Sequence, residues 1–477
     1  MVDPTKATHP KARDAIVGVV KGLRKVLRSD RWPKPFQIAG LAFCALAGDR
    51  ALIADQPGLG KTILGTCRIL LGLHIPAVVV CPPSMLLKWK EEIETWAPGL
   101  EVHRLDKVSK WVPRPGFRGV VVTTWDLLSH HAEALALLRP RIVVGDEAHY
   151  ILNEGTGRSE FFEHLIAGVP HLLLLTGTPM KNRPQELWRL LNIIDPRAWS
   201  EVTYPAFKEL NKGDFDRGVQ SRLVRRIRQF MLRRLKQDAT PELGDKTVHT
   251  VLVQIPEEQM APYREMERRF EAWLRAKIEA EMVEAVESGE LALADDEARE
   301  AEFNKRYLKA LQTKSLVQTG QLRRIVGRLK IPAAGRWLTE VSRAGEPAVA
   351  FAHHQEVIDG VAGRLARAGV RFGIIVGKTP KTRRHSLVKE FQDGRLDVIL
   401  CSSAAQEGIT LTRARHILRI ERAWTPADED QAADRVHRIG QKRGVHVWVM
   451  KAAGTMDTRM DEINVRKRRV IGRTVGE

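Results

Sequence analysis

Leu52-Ile-Ala-Asp55-Gln-Pro-Gly58-Leu-Gly60-Lys61-Thr62 is the stretch that decides the fold. An apolar run ends in a glycine-rich turn, and the turn ends on Lys-Thr where a helical pattern begins. Gly58 and Gly60 let the backbone turn tightly, so that its amide N–H groups point at phosphates. The following helix adds its positive N-terminal end. Lys61 is the point charge between the β- and γ-phosphates, and Thr62 offers a hydroxyl to Mg²⁺. Asp55 stands where the strict GxxxxGK[ST] pattern has its first glycine.

Further along, Asp146-Glu-Ala-His149 follows the apolar run Ile142-Val-Val-Gly145. Asp146, at a strand end, can hold Mg²⁺ through a water, while Glu147 can polarise the attacking water. Upstream, Gln37 in Pro35-Phe-Gln37 can present an amide to adenine. Near the C-terminus, Gln431-Ala-Ala-Asp-Arg435-Val-His-Arg438 sets two arginines close to one helical turn apart. A guanidinium in a dry cleft stabilises the charge of a phosphoryl-transfer transition state.

Two series of short, nearly charge-free, β-rich runs surround these motifs. The first occupies 51–54, 77–81, 120–123, 142–144 and 172–175; the second occupies 348–351, 372–376, 398–401, 417–420 and 445–450. Such runs between helical patterns read as buried parallel strands. The expected class is α/β, with two parallel-sheet lobes and helical insertions. In 15–27, Ile16, Val19, Val20, Leu23 and Leu27 share one helical face. The acidic stretch 279–302 reads as a solvated helical face.

Bulk composition points to a multi-domain protein with a polyanion as partner. The 477 residues exceed what one core supports, and the formal net charge of +19 favours nucleic acid as partner. No stretch approaches a membrane span, and the N-terminus lacks a secretory signal's apolar core. Four scattered cysteines, without a CxxC pair, point to a reducing, intracellular compartment, cytoplasmic or nuclear.

With these residues in place, the chain resembles the Swi/Snf-type ATPases of helicase superfamily two, from about residue 32 to about residue 470. Residues 55–62 resemble the family's DEMGLGKT, with Gln56 and Pro57 departing. Residues 78–89 resemble motif Ia, 121–125 motif Ib, 175–179 motif III, and Leu232-Arg-Arg-Leu-Lys236 the LRRxK signature. In the second half, Phe351-Ala-His-His354, residues 402–412 and 431–441 resemble motifs IV, V and VI. FAHH, and AAxxGxTLT in motif V, are similar to the annealing-helicase (HARP-related) branch. Glu407 there departs from the family's usual apolar residue.

The resemblance implies two RecA-like lobes that hydrolyse ATP with Mg²⁺ and translocate along double-stranded DNA. Its implied nucleotide contacts are Gln37, Asp55, Gln56, Pro57, Gly58, Leu59, Gly60, Lys61 and Thr62, with Thr62 and Asp146 on the metal. Lys61, Asp146, Glu147, Arg435 and Arg438 are the implied catalytic set; Thr176, Thr178 and Gln431 couple it to motion. Ser84, Lys88, Thr124, Trp125, His354, Ser402 and Gly408 are candidate DNA contacts, since hydroxyls, amides and lysine suit sequence-independent phosphate contact. The expected organisation is a basic arm (1–31), lobe 1 (32–182), a helical insertion (183–236), a return to lobe 1 (237–255), a helical protrusion (256–330) and lobe 2 with a C-terminal brace helix (331–477). Two rivals are a DEAH-class strand-separating helicase and a catalytically silent DNA-binding scaffold.

Overall fold

The computed structural model describes residues 10–27, 30–153, 155–181, 183–210, 217–240, 243–288, 298–304, 306, 316–403, 409–423, 425–438 and 440–475. Thirteen strands are labelled: β1 (Arg50–Ile53), β2 (Ala77–Cys81), β3 (Glu101–Arg104), β4 (Gly119–Thr124), β5 (Ile142–Asp146), β6 (His171–Leu175), β7 (Met231–Leu232), β8 (Lys246–Val253), β9 (Ala348–Ala352), β10 (Phe372–Ile375), β11 (Val398–Ser402), β12 (His416–Arg419) and β13 (Val445–Ala452). The helices are α1 (Pro10–Val26), α2 (Pro35–Leu46), α3 (Lys61–Leu70), α4 (Leu86–Trp96), α5 (Leu128–Leu137), α6 (Gly157–Ile166), α7 (Pro184–Ile194), α8 (Tyr204–Leu210), α9 (Arg217–Ile227), α10 (Lys236–Ala239), α11 (Glu257–Glu287), α12 (Leu316–Arg343), α13 (Gln355–Arg367), α14 (Lys381–Gln392), α15 (Pro426–Ala433) and α16 (Met456–Val475).

The expected α/β class with two parallel sheets is what the chain adopts. One sheet has seven strands in the order β3-β4-β2-β5-β6-β1-β7 and the other six, β10-β11-β9-β12-β13-β8. Pairing is parallel throughout, for example Val79 with both Val122 and Val144. Alternation divides each run between two cores. In the first sheet Leu52, Val78, Val80, Val143 and Leu174 pack into one apolar cluster, and Ile53, Val79, Cys81, Val144 and Leu175 into the other.

The first compact unit comprises Met1–Gly244, Thr425–Lys442 and Lys467–Glu477. α1 belongs to it: Val19 and Leu23 are buried, with Ile16, Val20 and Leu27 packed around them. The 183–236 stretch is less separate than expected. Leu187, Leu191, Ile194, Trp199, Phe207 and Ile227 join the cluster beneath the first sheet, and near its end the stretch adds strand β7 to that sheet.

The second unit comprises Asp245–Trp424 and Arg443–Arg466. The expected return of 237–255 to the first lobe is corrected here. α10 stays with the first unit, but Lys246 to Val253 pair residue for residue with Val445 to Ala452 at the edge of the second sheet. β8 lies at the sheet edge, opens with Lys246 and Thr247 and carries His249 and Thr250, so it lacks the unbroken apolar signature of a central strand. The brace helix also divides, with Lys467 onward counted in the first unit. α11 buries Phe270, Leu274, Ile278 and Met282 at helical spacing. Its acids at Glu279, Glu284 and Glu287 face solvent, and the rest of the acidic stretch lies partly outside the described residues.

Candidate functional site

Strand β1 delivers the chain into the glycine-rich loop, and α3 begins at Lys61 with left-handed Gly60 as its N-cap. Gly58 and Gly60 have φ of +90° and +73°. A Cβ on Gly58 would lie 2.8 Å from Cβ of Arg438, and one on Gly60 2.6 Å from Nε2 of Gln37. Both glycines are therefore required twice, by conformation and by close approach. Gln37 is buried; its Oε1 accepts from Lys34 N at 2.9 Å, and its Nε2 donates to Leu59 O and Gly60 O at 3.3 Å.

Lys61 donates from Nζ to the Asp55 carbonyl at 2.7 Å. Burial pulls its pKa down, against the opposing pull of Glu147, Asp55 and Asp146. The Asp55 carboxylate takes a different role from the expected nucleotide contact. It is 1% exposed and held by Arg234, whose Nε and N both donate to Oδ1, at 2.9 and 3.1 Å. Arg234 also donates to the carbonyl of Phe36, tying the Gln37 segment to the loop. Gln56 accepts from Lys236 N through Oε1 at 2.8 Å. Pro57 packs on motif III so closely that a Cβ at Gly177 would lie 2.5 Å from its Cγ. Leu59 is buried and Thr62 half-buried.

Asp146 is gripped on both oxygens. Its Oδ2 accepts from Trp89 Nε1 at 2.7 Å, Oδ1 from Glu147 N at 3.0 Å, and its carbonyl from Trp125 Nε1 at 2.9 Å. Glu147 sits at φ +52°, a conformation rare for a side-chain-bearing residue and often stored at functional sites. His149 Nδ1 lies 3.1 Å from Glu147 Oε2. Burial, then repulsion from Glu147, pushes the Asp146 carboxyl up to about 6. Burial would raise Glu147 as well, but the neighbouring His149, with Lys61 and Arg435, outweighs it and brings it down to about 2. Two adjacent acids are thus driven apart, which suits them to different tasks.

Arg435 and Arg438 lie in the turn after α15, within the first unit. Burial, followed by repulsion from Arg435, lowers Arg438 to about 10. Nε of Arg435 is buried without a hydrogen bond. Gln431 is half-buried on α15. Thr176 is buried, donating from N to Ile53 O at 3.1 Å and accepting Thr178 N on Oγ1 at 3.1 Å. The motif III turn therefore sits beside the end of β1.

The candidate DNA contacts separate into groups. Trp125 is corrected to a core residue: it is 1% exposed and its indole N–H is spent on Asp146. Thr124 is 3% exposed at the end of β4. Lys88 is half-buried and lies in the field of Arg438, Asp146 and Arg435; burial, then Arg438, lowers its pKa. Ser84 and Ser402 have buried Oγ atoms without partners. His354, in the second unit, is held by Glu421, whose Oε1 lies 2.6 Å from Nδ1 and whose Oε2 accepts His353 N and His354 N. Gly408 lies outside the described residues.

Several residues of this arrangement carried no separate signal in the sequence. Trp89, Arg234, Lys236, Asp434 and Glu421 act through neighbours, and motif Ia, LRRxK and motif VI marked where the first four of them stand. For a cation, the structure offers the hydroxyl of Thr62 and the carboxylate of Asp146. No group of three or more His, Cys, Asp or Glu suited to a metal occurs among the described residues. Hard oxygen donors too few for a full shell fit Mg²⁺, which keeps waters and takes phosphate oxygens.

Comparison with known proteins agrees with this geometry. The SNF2-related domain matches residues 36–316, more than half of the chain, and the helicase conserved C-terminal domain matches 333–440. DNA annealing helicase and endonuclease ZRANB3 of Mus musculus is 29% identical over 467 residues, covering 92% of this chain and 40% of that protein. SWI/SNF-related matrix-associated actin-dependent regulator of chromatin subfamily A-like protein 1 of Xenopus laevis is 27% identical over 450 residues, covering 92% and 43%. Putative ATP-dependent helicase/translocase YwqA of Bacillus subtilis is 28% identical over 451 residues, covering 90% and 47%. The chain thus spans less than half the length of these curated relatives.

Proposed function

Because the chain belongs to the SNF2-related family, we propose that it is an ATP-dependent translocase on double-stranded DNA. The observation that carries the reading is the convergence, within one unit, of Lys61, the Asp146–Glu147 pair and Arg435 with Arg438 around the glycine loop. These groups are the parts that phosphoryl transfer needs.

Loop amides and Lys61 would hold the β- and γ-phosphates, while Gln37, its amide engaged with Lys34, Leu59 and Gly60, steadies the loop and would exchange one of these bonds for adenine. Thr62 and Asp146 would hold Mg²⁺, which neutralises phosphate charge when bound. Glu147, ionised and beside His149, orients and polarises the attacking water. Arg435 and Arg438 stabilise charge developing on the γ-phosphoryl group. Thr176 and Thr178, bonded to β1 and to each other, link this chemistry to the DNA-facing motifs, with Gln431 on α15. His354, half-buried in the second unit, is kept as a proposed DNA contact, whereas Ser84 and Ser402, whose Oγ atoms are buried, would reach a phosphate only after rearrangement. Reannealing of separated strands, as in the mouse relative's name, extends the same reading. Four reduced, buried cysteines suit action inside the cell.

The test is ATP hydrolysis measured with no nucleic acid, duplex DNA, forked DNA, single-stranded DNA and single-stranded RNA in parallel. Stimulation of about tenfold or more by duplex or fork is expected. Hydrolysis indifferent to all five sinks the translocase, and greatest stimulation by RNA favours the DEAH-class rival. Duplex-dependent function that survives Lys61→Ala would make the chain a scaffold.

A further inference from the structure

Residues 231–236 run alongside the start of the phosphate loop. Met231 and Leu232 are in register with Leu52 and Ile53. Beyond them Leu232 O accepts from Ala54 N at 2.7 Å and Arg234 O from Gln56 N at 3.1 Å. Lys236 comes next, its N–H on Gln56 Oε1 at 2.8 Å and its carbonyl accepting Thr240 N and Oγ1 at 2.8 and 2.9 Å.

The ammonium of Lys236 is deeply buried, the residue being 4% exposed. It donates to the Asp434 carboxylate and to the carbonyl of His437. These partners flank the two arginines in sequence: Asp434 precedes Arg435, and His437 precedes Arg438. A second tie fixes the same turn, since His437 Nε2 lies 2.7 Å from Gly244 O. The Arg438 backbone is brought so near Gly58 that a Cβ there would lie 3.4 Å from its Cα, and 3.5 Å from Cε of Lys236.

A buried ion pair is poor evidence for stability, because apolar residues of similar volume hold a fold at least as well. What this one supplies is direction. One ammonium fixes both ends of the turn that carries the arginines, while its own main chain is fixed by a loop residue. We propose that Lys236 is a positioning residue that sets Arg435 and Arg438 over the phosphate loop, with Gln56 as its link to the nucleotide. The inference rests on the proposed hydrolysis and names the part that aligns it.

Four variants decide it: Lys236→Met, Asp434→Asn, the double Lys236→Met/Asp434→Asn, and Lys236→Arg. Each is compared with the parent chain for melting temperature, affinity for a fluorescent ATP analogue, and single-turnover hydrolysis with saturating duplex DNA. Lys236→Met strands a buried carboxylate and lowers the melting temperature, whereas the double variant recovers it. The double variant is expected to bind the analogue within about threefold of the parent yet hydrolyse roughly 10²-fold more slowly, the effect of misplacing a catalytic group by about 1 Å. Lys236→Arg should keep more of the rate than Lys236→Met. A double variant that regains its rate along with its melting temperature overturns the inference. Placement is also read without turnover, from phenylglyoxal modification of Arg438 mapped by mass spectrometry. Faster modification in the double variant is expected, and an unchanged rate overturns the inference. A parent chain that hydrolyses nothing defeats the functional reading instead, leaving this chemical test to stand alone.

Discussion

Asp146 and Glu147 are adjacent acids with opposite shifts, and the shifts predict how the enzyme titrates. A cation held by Asp146 needs its carboxylate ionised, and burial pushes that carboxyl up to about 6. Hydrolysis should therefore fall as pH drops through about 6, and more Mg²⁺ should move that limb lower by competing with the proton. The Trp89 hydrogen bond pulls Asp146 down, so Trp89→Phe should move the limb to higher pH; a limb that stays put disproves the link. Stability carries opposite signs at the two groups. Asp146, raised when folded, contributes stability that is present below about 4 and lost as pH rises to about 6. Glu147, lowered when folded, contributes stability above about 4.5 that is lost as pH falls toward 2. Gly58 allows a second prediction, because it combines φ +90° with 2.8 Å of clearance to Arg438 Cβ. Gly58→Ala should cost about 1 kcal/mol in backbone strain. Its larger effect should be on single-turnover hydrolysis, slowed by roughly 10² as Arg438 is displaced.

At the scale of elements, α11, α12, β13 and α16 meet in the second unit at one buried ion pair. Lys330, 0% exposed, donates to Asp457 Oδ2 at 2.9 Å, and that oxygen also accepts Ala452 N at 3.0 Å. One turn away Tyr263 accepts Met456 N at 2.8 Å and donates to Glu267 at 3.0 Å. Lys330→Met strands the Asp457 charge and should cost about 3–5 kcal/mol, while Lys330→Met/Asp457→Asn should recover most of it. Denaturant unfolding of the two variants checks this, and equal losses in both would refute it. Nothing in the sequence announced this junction, because a lysine and an aspartate far apart have no pattern until the helices pack. Strands show the same limit. Most of the ten runs were legible since strands buried on both faces are apolar nearly throughout, and the edge strand β10 and the alternately buried β13 still carry enough apolar residues to show. β3, β7 and β8 were not: Glu101–Arg104 is half-solvated, Met231–Leu232 is two residues long, and Lys246–Val253 exposes alternate residues at a sheet edge. The nucleotide motifs were legible because phosphate chemistry fixes residue type and spacing together. Arg234 and Lys236 were seen only as part of LRRxK, since their task is to hold other residues.

For the whole molecule, a net charge of +19 says that a polyanion is welcome but not where it lies. One candidate place is a basic helix of the first unit. α9 reads Arg217-Gly-Val-Gln-Ser-Arg222-Leu-Val-Arg225-Arg226-Ile227, without an acid, and Arg222 and Arg225 are exposed on it. Arg226 is committed elsewhere, stacked 4.9 Å over Trp199 and donating to Ala198 O, so it belongs to the fold. Gln220 Nε2 donates to Arg473 O at 2.8 Å, joining α9 to the end of α16, where Arg469 and Arg473 are also exposed. Two helices distant in sequence thus present one basic face on the first unit. If duplex phosphates lie along it, each lost contact lowers the slope of log affinity against log salt by about 0.9. Arg222→Ala/Arg225→Ala should therefore reduce that slope by about 2 and weaken all duplex sequences alike. Hydrolysis without DNA should be unchanged, because neither residue reaches the nucleotide machinery. Fluorescence anisotropy on a labelled duplex between about 50 and 200 mM salt spans a range wide enough to measure the change. A slope equal to the parent's would assign the arginines of α9 to solubility and leave the DNA path to Ser84, Ser402 and His354.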